Sequence, residues 1–162
     1  MVDVDDDEDE EAIEGGGIIN AAWAGTGIFA VTTIVAAILD RDGFTYVAVG
    51  VALVLFAIGC GAFLWAYALA VARSRTDLIG IGGLYFLAGT APKVVAFRLR
   101  LVLAIEIVVA VAAASLRPYT SIAFGILVPM FGLGLCGLWG ARFGTFEARP
   151  VKGSKDRGAA SE

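Results

Sequence analysis

Residues 99–116 constrain this chain most, because they form an apolar run with a single carboxylate, Glu106, near its middle. Apolar runs of about 18 or more residues are typical of transmembrane helices. A carboxylate at mid-depth in a bilayer is costly, so it must be neutralised, paired or hydrated. The run therefore predicts a membrane-spanning helix that has one polar group to accommodate.

The composition agrees with a lipid environment. The chain has 162 residues, of which 59% are hydrophobic, and its mean hydropathy is +0.83. A soluble domain is closer to 45–50% apolar. The charged residues lie in the two tails and at a few junctions, which leaves long apolar stretches between them.

The predicted fold is an all-α membrane protein, a four-helix transmembrane bundle made of two hairpins, within a domain of residues 18–145. The four helices are predicted over residues 18–39, 45–72, 97–116 and 121–143, with Val94 as an alternative start of the third. Pro129 should kink or loosen the fourth helix. Residues 78–89 are apolar but too short to span, so they predict an interfacial or re-entrant segment, or a short helix under the bundle.

Both ends of the chain are predicted to be disordered cytoplasmic tails. Residues 1–17 are strongly acidic, and a block of like charge repels itself and buries nothing. This tail is either a solvated segment that aids solubility or a segment that binds cations or a basic partner. It lacks the positive region of a secretory signal. Residues 146–162 are rich in glycine, serine and basic residues.

Basic residues predict the orientation, since positive charge favours the cytoplasmic side. Ten of them lie beside the tails or the long connection: Arg73, Arg75, Lys93, Arg98, Arg100, Arg142, Arg149, Lys152, Lys155 and Arg157. Only Arg41 and Arg117 lie on the opposite side. This bias predicts a multi-pass protein of the cytoplasmic (inner) membrane with both termini inside.

Six of these residues flank the predicted helices closely enough to reach lipid headgroups with their long side chains. They are Arg73, Arg75, Lys93, Arg98, Arg100 and Arg142. The lipid bilayer is thus the first expected partner.

Small residues recur at every fourth position of the last predicted helix, at Gly132, Cys136, Gly140 and Gly144. Such a stripe allows close helix approach. It predicts contact with another helix, either within the protein or through self-association or a different membrane subunit. Cys136 and Cys60 both lie in apolar runs and are expected to be small buried side chains.

Glu106 has three interpretations. It can be a proton or cation site of a transporter or channel, it can bond to a threonine or backbone carbonyl of a neighbouring helix, or it can pair with a basic residue of another subunit. Thr26, Thr32 and Thr33 of the first helix are expected to bond carbonyls of their own helix.

The chemistry of the remaining residues favours no enzyme. The chain has no histidine, which excludes histidine-based metal sites and proton relays. Metal or hydrolytic chemistry needs several polar groups that converge at one depth, and the spans offer few. We expect no catalytic residue, no metal, no cofactor and no nucleic-acid partner.

Several short motifs carry a resemblance to a known family. They are Gly82-Gly83, Ala91-Pro92, Arg117-Pro118 with Thr120, Gly125 to Pro129, and Gly137 to Arg142. Over residues 76–146 the chain resembles an uncharacterised family of small integral membrane proteins of actinobacteria. The resemblance implies a membrane location and supplies no activity.

Two functional classes follow. The first is a non-catalytic accessory or scaffold subunit of a larger membrane complex. The second is a small homo-oligomeric transporter or channel, coupled to protons or cations through Glu106.

Overall fold

The computed structural model describes residues 15–39, 42–116 and 121–149. Five α-helices and one 3₁₀ segment make up this part of the chain. They are α1 (Gly16–Leu39), α2 (Asp42–Arg73), α3 (Ile81–Tyr85), α4 (Lys93–Leu116), the 3₁₀ segment (Ser121–Leu127) and α5 (Pro129–Phe143). Residues 1–14 of the predicted tail 1–17, residues 40–41 and 117–120, and residues 150–162 lie outside the described residues.

The long elements run up and down past one another. At one end, the last turns of α1 and α4 meet the beginnings of α2 and the 3₁₀ segment, through Ala36, Ala113, Ala48 and Ile122. At the other end, Ile19 near the start of α1 shares a core with Trp139 near the end of α5. Both ends of the described chain therefore lie at the same end of the bundle.

Three helical segments are long and apolar enough to cross a membrane, by length and composition. They are Gly16–Leu39, Gly43–Arg73 and Ser121–Phe143. Large apolar side chains on their outer faces are exposed, including Val31, Ile58 and Phe124. A multi-pass membrane protein accounts for this, because lipid rather than water would cover these faces. The predicted span 97–116 lies within α4, and its crossing of the membrane stays a prediction.

Helix α4 begins one residue before the earlier of its two predicted starts. It starts at Lys93, and the carbonyl of Pro92 accepts its first hydrogen bond, from Ala96 N at 3.0 Å. Proline is compatible with a helix start because its missing N–H has no role there. Helices α1 and α2 also extend one to three residues beyond the predicted bounds.

The predicted helix 121–143 is two elements rather than one. A 3₁₀ segment ends at Leu127, and α5 begins at Pro129. Proline has no N–H and its ring clashes with the carbonyl four residues earlier, so an α-helix cannot run through it undisturbed. The expected disturbance at Pro129 is a change of helix type.

Residues 78–89 contain the five-residue helix α3, and the structure does not establish a re-entrant path for them. Leu84, Tyr85 and Leu87 are buried against the bundle. Leu87 has a positive φ of 53°, and the following turn uses Gly89 at φ 75°. The chain thus reverses sharply between α3 and α4 while Leu84, Tyr85 and Leu87 stay buried.

The described start of the predicted C-terminal tail is paired with the connection after α2. Leu78 N donates to Glu147 O and Arg149 N donates to Thr76 O, both at 2.8 Å. Thr145 N donates to Thr90 O at 2.9 Å. Residues 146–149 therefore belong with the folded domain.

Helices α2 and α5 approach each other through two glycines. A Cβ at Gly59 would lie 2.5 Å from Phe131 N and 2.6 Å from Met130 C. A Cβ at Gly134 would meet the backbone of Gly59. These contacts are with backbone atoms, which cannot turn aside, so the seam requires glycine at both positions.

Gly59→Ala should lower the free energy of unfolding by about 1–3 kcal/mol, because the added methyl group forces α2 and α5 apart. Gly61→Ala is the matched control, since a Cβ there meets nothing within 4 Å. Thermal unfolding in detergent, followed by circular dichroism, measures both variants. Equal stability of the two would contradict the close seam.

Candidate functional site

The candidate site is a carboxylate held between three helices. Glu106 of α4 is fully buried, with none of its surface exposed. The hydroxyl of Thr26, on α1, donates to Glu106 Oε1 at 2.7 Å. The backbone N–H of Gly132, on α5, donates to Glu106 Oε2 at 3.0 Å. Both carboxyl oxygens are therefore engaged within the chain.

The break at Pro129 explains why a carboxylate is needed here. The first four N–H groups of an α-helix have no partner in their own helix. Pro129 has no N–H, and Phe131 N turns back to Val128 O at 2.7 Å. Gly132 is the next donor, and Glu106 accepts from it. The positive end of a helix dipole also favours a negative group.

Glycines bring the three helices close enough for these bonds. A Cβ at Gly132 would lie 2.5 Å from Glu106 Oε2 and 3.3 Å from Leu103 Cα. On α1, Gly25 leaves room for the ring of Phe131 beside Thr26. Any side chain at either glycine would push α5 away from the carboxylate.

The geometry corresponds to a hydrogen-bonded structural acid, with one difference from the expectation. The threonine partner is present, but the backbone partner is an N–H rather than a carbonyl. An N–H suits a carboxylate, which only accepts hydrogen bonds. Thr26 thus bonds across to α4, whereas Thr32 does bond its own helix, at Ile28 O (2.8 Å).

The predicted stripe of small residues faces inward. Gly132 faces Glu106, and Gly140 faces the backbone of Leu84 in α3. Cys136 is buried in the core between them, and Gly144 lies against Gly140 and Phe146. The stripe thus packs within this chain, and self-association through α5 stays a prediction. Cys60 is half-buried on α2.

Two of the six predicted headgroup residues are tied to the protein instead. Arg73 donates to Ala141 O at 2.8 Å and Gly144 O at 3.2 Å, and forms a 3.1 Å ion pair with Asp77. Its guanidinium also lies 5.4 Å from the ring centre of Phe146. Arg73 thus satisfies carbonyls at the end of α5, which have no partner in their own helix.

Arg100 binds the chain reversal that precedes α4. Its guanidinium donates to Phe86 O at 2.7 Å and to Leu87 O at 2.9 Å. The positive φ of Leu87 is therefore held by a charged side chain as well as by packing. Arg100 is itself exposed, as are the other four predicted headgroup residues, Arg75, Lys93, Arg98 and Arg142.

The described residues contain no group of three or more Cys, Asp or Glu side chains that could hold a metal ion. A single carboxylate with two donors is also a poor cation site, since Ca²⁺ and Mg²⁺ take six or more oxygen ligands. The arrangement can bind a proton or join helices.

Comparisons with protein-family models, with curated proteins and with solved structures found no significant match. The resemblance to an actinobacterial membrane protein family therefore stays a prediction.

Replacing Glu106 should separate its hydrogen bonds from its charge. A glutamine can accept from Gly132 N and donate to Thr26 Oγ1, so Glu106→Gln should change the free energy of unfolding by less than about 1 kcal/mol. Glu106→Leu leaves both groups without a partner and should cost about 1–3 kcal/mol for each. Chemical unfolding in mixed micelles measures both. Equal stability of the leucine and glutamine variants would show that the hydrogen bonds of Glu106 do not hold the three helices together.

Arg73→Gln should destabilise the end of α5 by about 1–3 kcal/mol, because the unpartnered carbonyls of Ala141 and Gly144 lose their donors. Arg75→Gln is the control, as Arg75 is exposed and has no partner among the described side chains. Thermal stability in detergent gives the difference. A larger loss for Arg75→Gln would refute the assignment.

Proposed function

We propose that this chain is a four-crossing protein of the cytoplasmic membrane that serves as a non-catalytic accessory or scaffold subunit of a larger complex. The observation that carries the proposal is the use of Glu106. Among the described acidic and basic side chains, Glu106 alone is buried, and it joins α1, α4 and α5. A carboxylate that holds three helices together suits a rigid scaffold protein better than a transporter that changes conformation.

The depths of the charged residues support four crossings. If Glu106 lies at mid-depth, Arg100 is about 9 Å and Arg98 about 12 Å away along α4, at 1.5 Å per residue. The hydrocarbon core extends about 15 Å to each side of its centre. Arg100 would then lie inside the hydrocarbon core, where a charged side chain needs polar partners. Its hydrogen bonds to two carbonyls provide them. Arg98 and Lys93 are exposed and would reach the headgroups.

The orientation follows from the distribution of charge. Among the described residues, all the basic side chains lie at the bundle end that holds the start of α1 and the end of α5. Positive charge favours the cytoplasmic side. The proposed orientation thus has both termini inside, as the sequence predicts.

A proton-coupled or cation-coupled transporter or channel is the second candidate, and one feature of the site favours the proton version. The hydroxyl of Thr26 can either donate or accept a hydrogen bond. Glu106 could therefore keep its bond to Thr26 whether or not it carries a proton.

Purification of the tagged protein from its native membrane in mild detergent tests the proposal. A scaffold subunit should bring down a stoichiometric membrane partner, identified by mass spectrometry. Glu106→Gln should retain that partner, because the carboxylate is buried inside the chain rather than at an interface.

Recovery of a homo-oligomer without a partner would contradict the scaffold role. Proton flux in liposomes would then decide the second candidate. Flux that is lost in Glu106→Gln, while the variant unfolds at the wild-type temperature, would establish the transporter or channel.

A further inference from the structure

Six exposed basic side chains lie at one end of the bundle, and we name the five that have no side-chain partner the basic rim. They are Arg75, Lys93, Arg98, Arg142 and Arg149. None of them has a side-chain hydrogen bond or ion pair with another described residue. The rim residues come from the connection after α2, the first turns of α4, the last turn of α5 and the end of the described chain.

The described chain enters the bundle at this end. The backbone of Gly15 lies against the rings of Trp139 and Phe143, one residue from Arg142. In the next turn, Ile19 shares a core with Val95, which is two residues from Lys93. The residues that precede Gly15 therefore start next to the rim.

The basic rim and the residues that precede Gly15 carry opposite charges. At this end the described residues carry seven basic side chains (Arg73, Arg75, Lys93, Arg98, Arg100, Arg142 and Arg149) and two acidic ones (Asp77 and Glu147). Nine acidic residues precede Gly15: Asp3, Asp5, Asp6, Asp7, Glu8, Asp9, Glu10, Glu11 and Glu14. Asp77 is already paired with Arg73, so the rim has little acidic counter-charge of its own.

We propose that the acidic segment, residues 3–14, binds the basic rim of its own chain. Packed helices are about 8–10 Å apart, and an extended chain covers about 3.3 Å per residue. Three or four residues before Gly15 thus suffice to reach the first turn of α4. Because the segment is tethered, its effective concentration at the rim is in the millimolar range. It covers the rim and competes there with anionic lipid headgroups.

A carbodiimide coupling experiment tests this contact, because the reagent joins a carboxylate to an amine only when the two touch. The full chain has three lysines, Lys93, Lys152 and Lys155. In the background of Lys152→Arg and Lys155→Arg, Lys93 is the one remaining lysine. The protein is reconstituted in nanodiscs of phosphatidylcholine, which has no net charge, and cross-linked peptides are identified by mass spectrometry.

Two lysine substitutions on α4 give a matched pair. Arg98→Lys places a second amine on the rim, and Ser115→Lys places one at the other end of the same helix, about 25 Å away. Both positions are exposed. We expect intramolecular links from residues 3–14 to Lys93 and to the lysine at 98, and none to the lysine at 115. Their yield should fall roughly tenfold between about 0.01 M and about 1 M salt, as the Debye length falls from about 30 Å to about 3 Å.

Three outcomes would overturn the proposal. One is the absence of links to both rim lysines at low salt, and another is a link yield that does not change with salt. The third is links found only between two chains, which would assign the segment to a second copy.

Native mass spectrometry tests the competition with lipid. In phosphatidylglycerol nanodiscs, deletion of residues 3–12 should increase the number of lipids retained by the protein. Unchanged retention would show that the lipid, not the segment, holds the rim.

Discussion

A helix that is broken inside a membrane must find hydrogen-bond partners for the backbone groups that the break releases, since lipid supplies none. In this chain the break is at Pro129, and the released donor is the N–H of Gly132. Glu106 accepts from it at 3.0 Å and also accepts from Thr26 at 2.7 Å. One side chain thereby joins α1, α4 and α5, so a residue that would be costly in lipid becomes the link between three helices.

The same need for hydrogen-bond partners explains two arginines that lie beside helix ends. Arg73 donates to carbonyls at the end of α5, and Arg100 donates to the carbonyls of Phe86 and Leu87. Each guanidinium satisfies backbone groups where a helix ends or the chain reverses. Charged side chains are thus used where regular helix geometry fails, while the seam between α2 and α5 needs only glycine at positions 59 and 134.

The sequence predicts the helices well because long apolar runs have few alternatives in lipid. The sequence shows that Glu106 is an acid within an apolar run and that Pro129 disturbs a helix. It does not show that Glu106 bonds to the helix that begins at Pro129, because that contact depends on which helices are neighbours. The spacing offers one signal: Gly132 follows Pro129 by three residues, so its N–H falls in the first turn, where donors lack partners. The roles of Arg73 and Arg100 were missed, because flanking arginines usually face headgroups and only the fold shows which carbonyls lie nearby.

The amide proton of Gly132 gives the most direct test of this account. Its exchange rate and chemical shift can be followed by NMR in micelles, in the wild type and in Glu106→Leu. The account predicts a slowly exchanging, hydrogen-bonded amide in the wild type, and faster exchange with an upfield shift once the carboxylate is removed. A Gly132 amide that is unchanged by the loss of Glu106 would show that the carboxylate does not bind the broken helix.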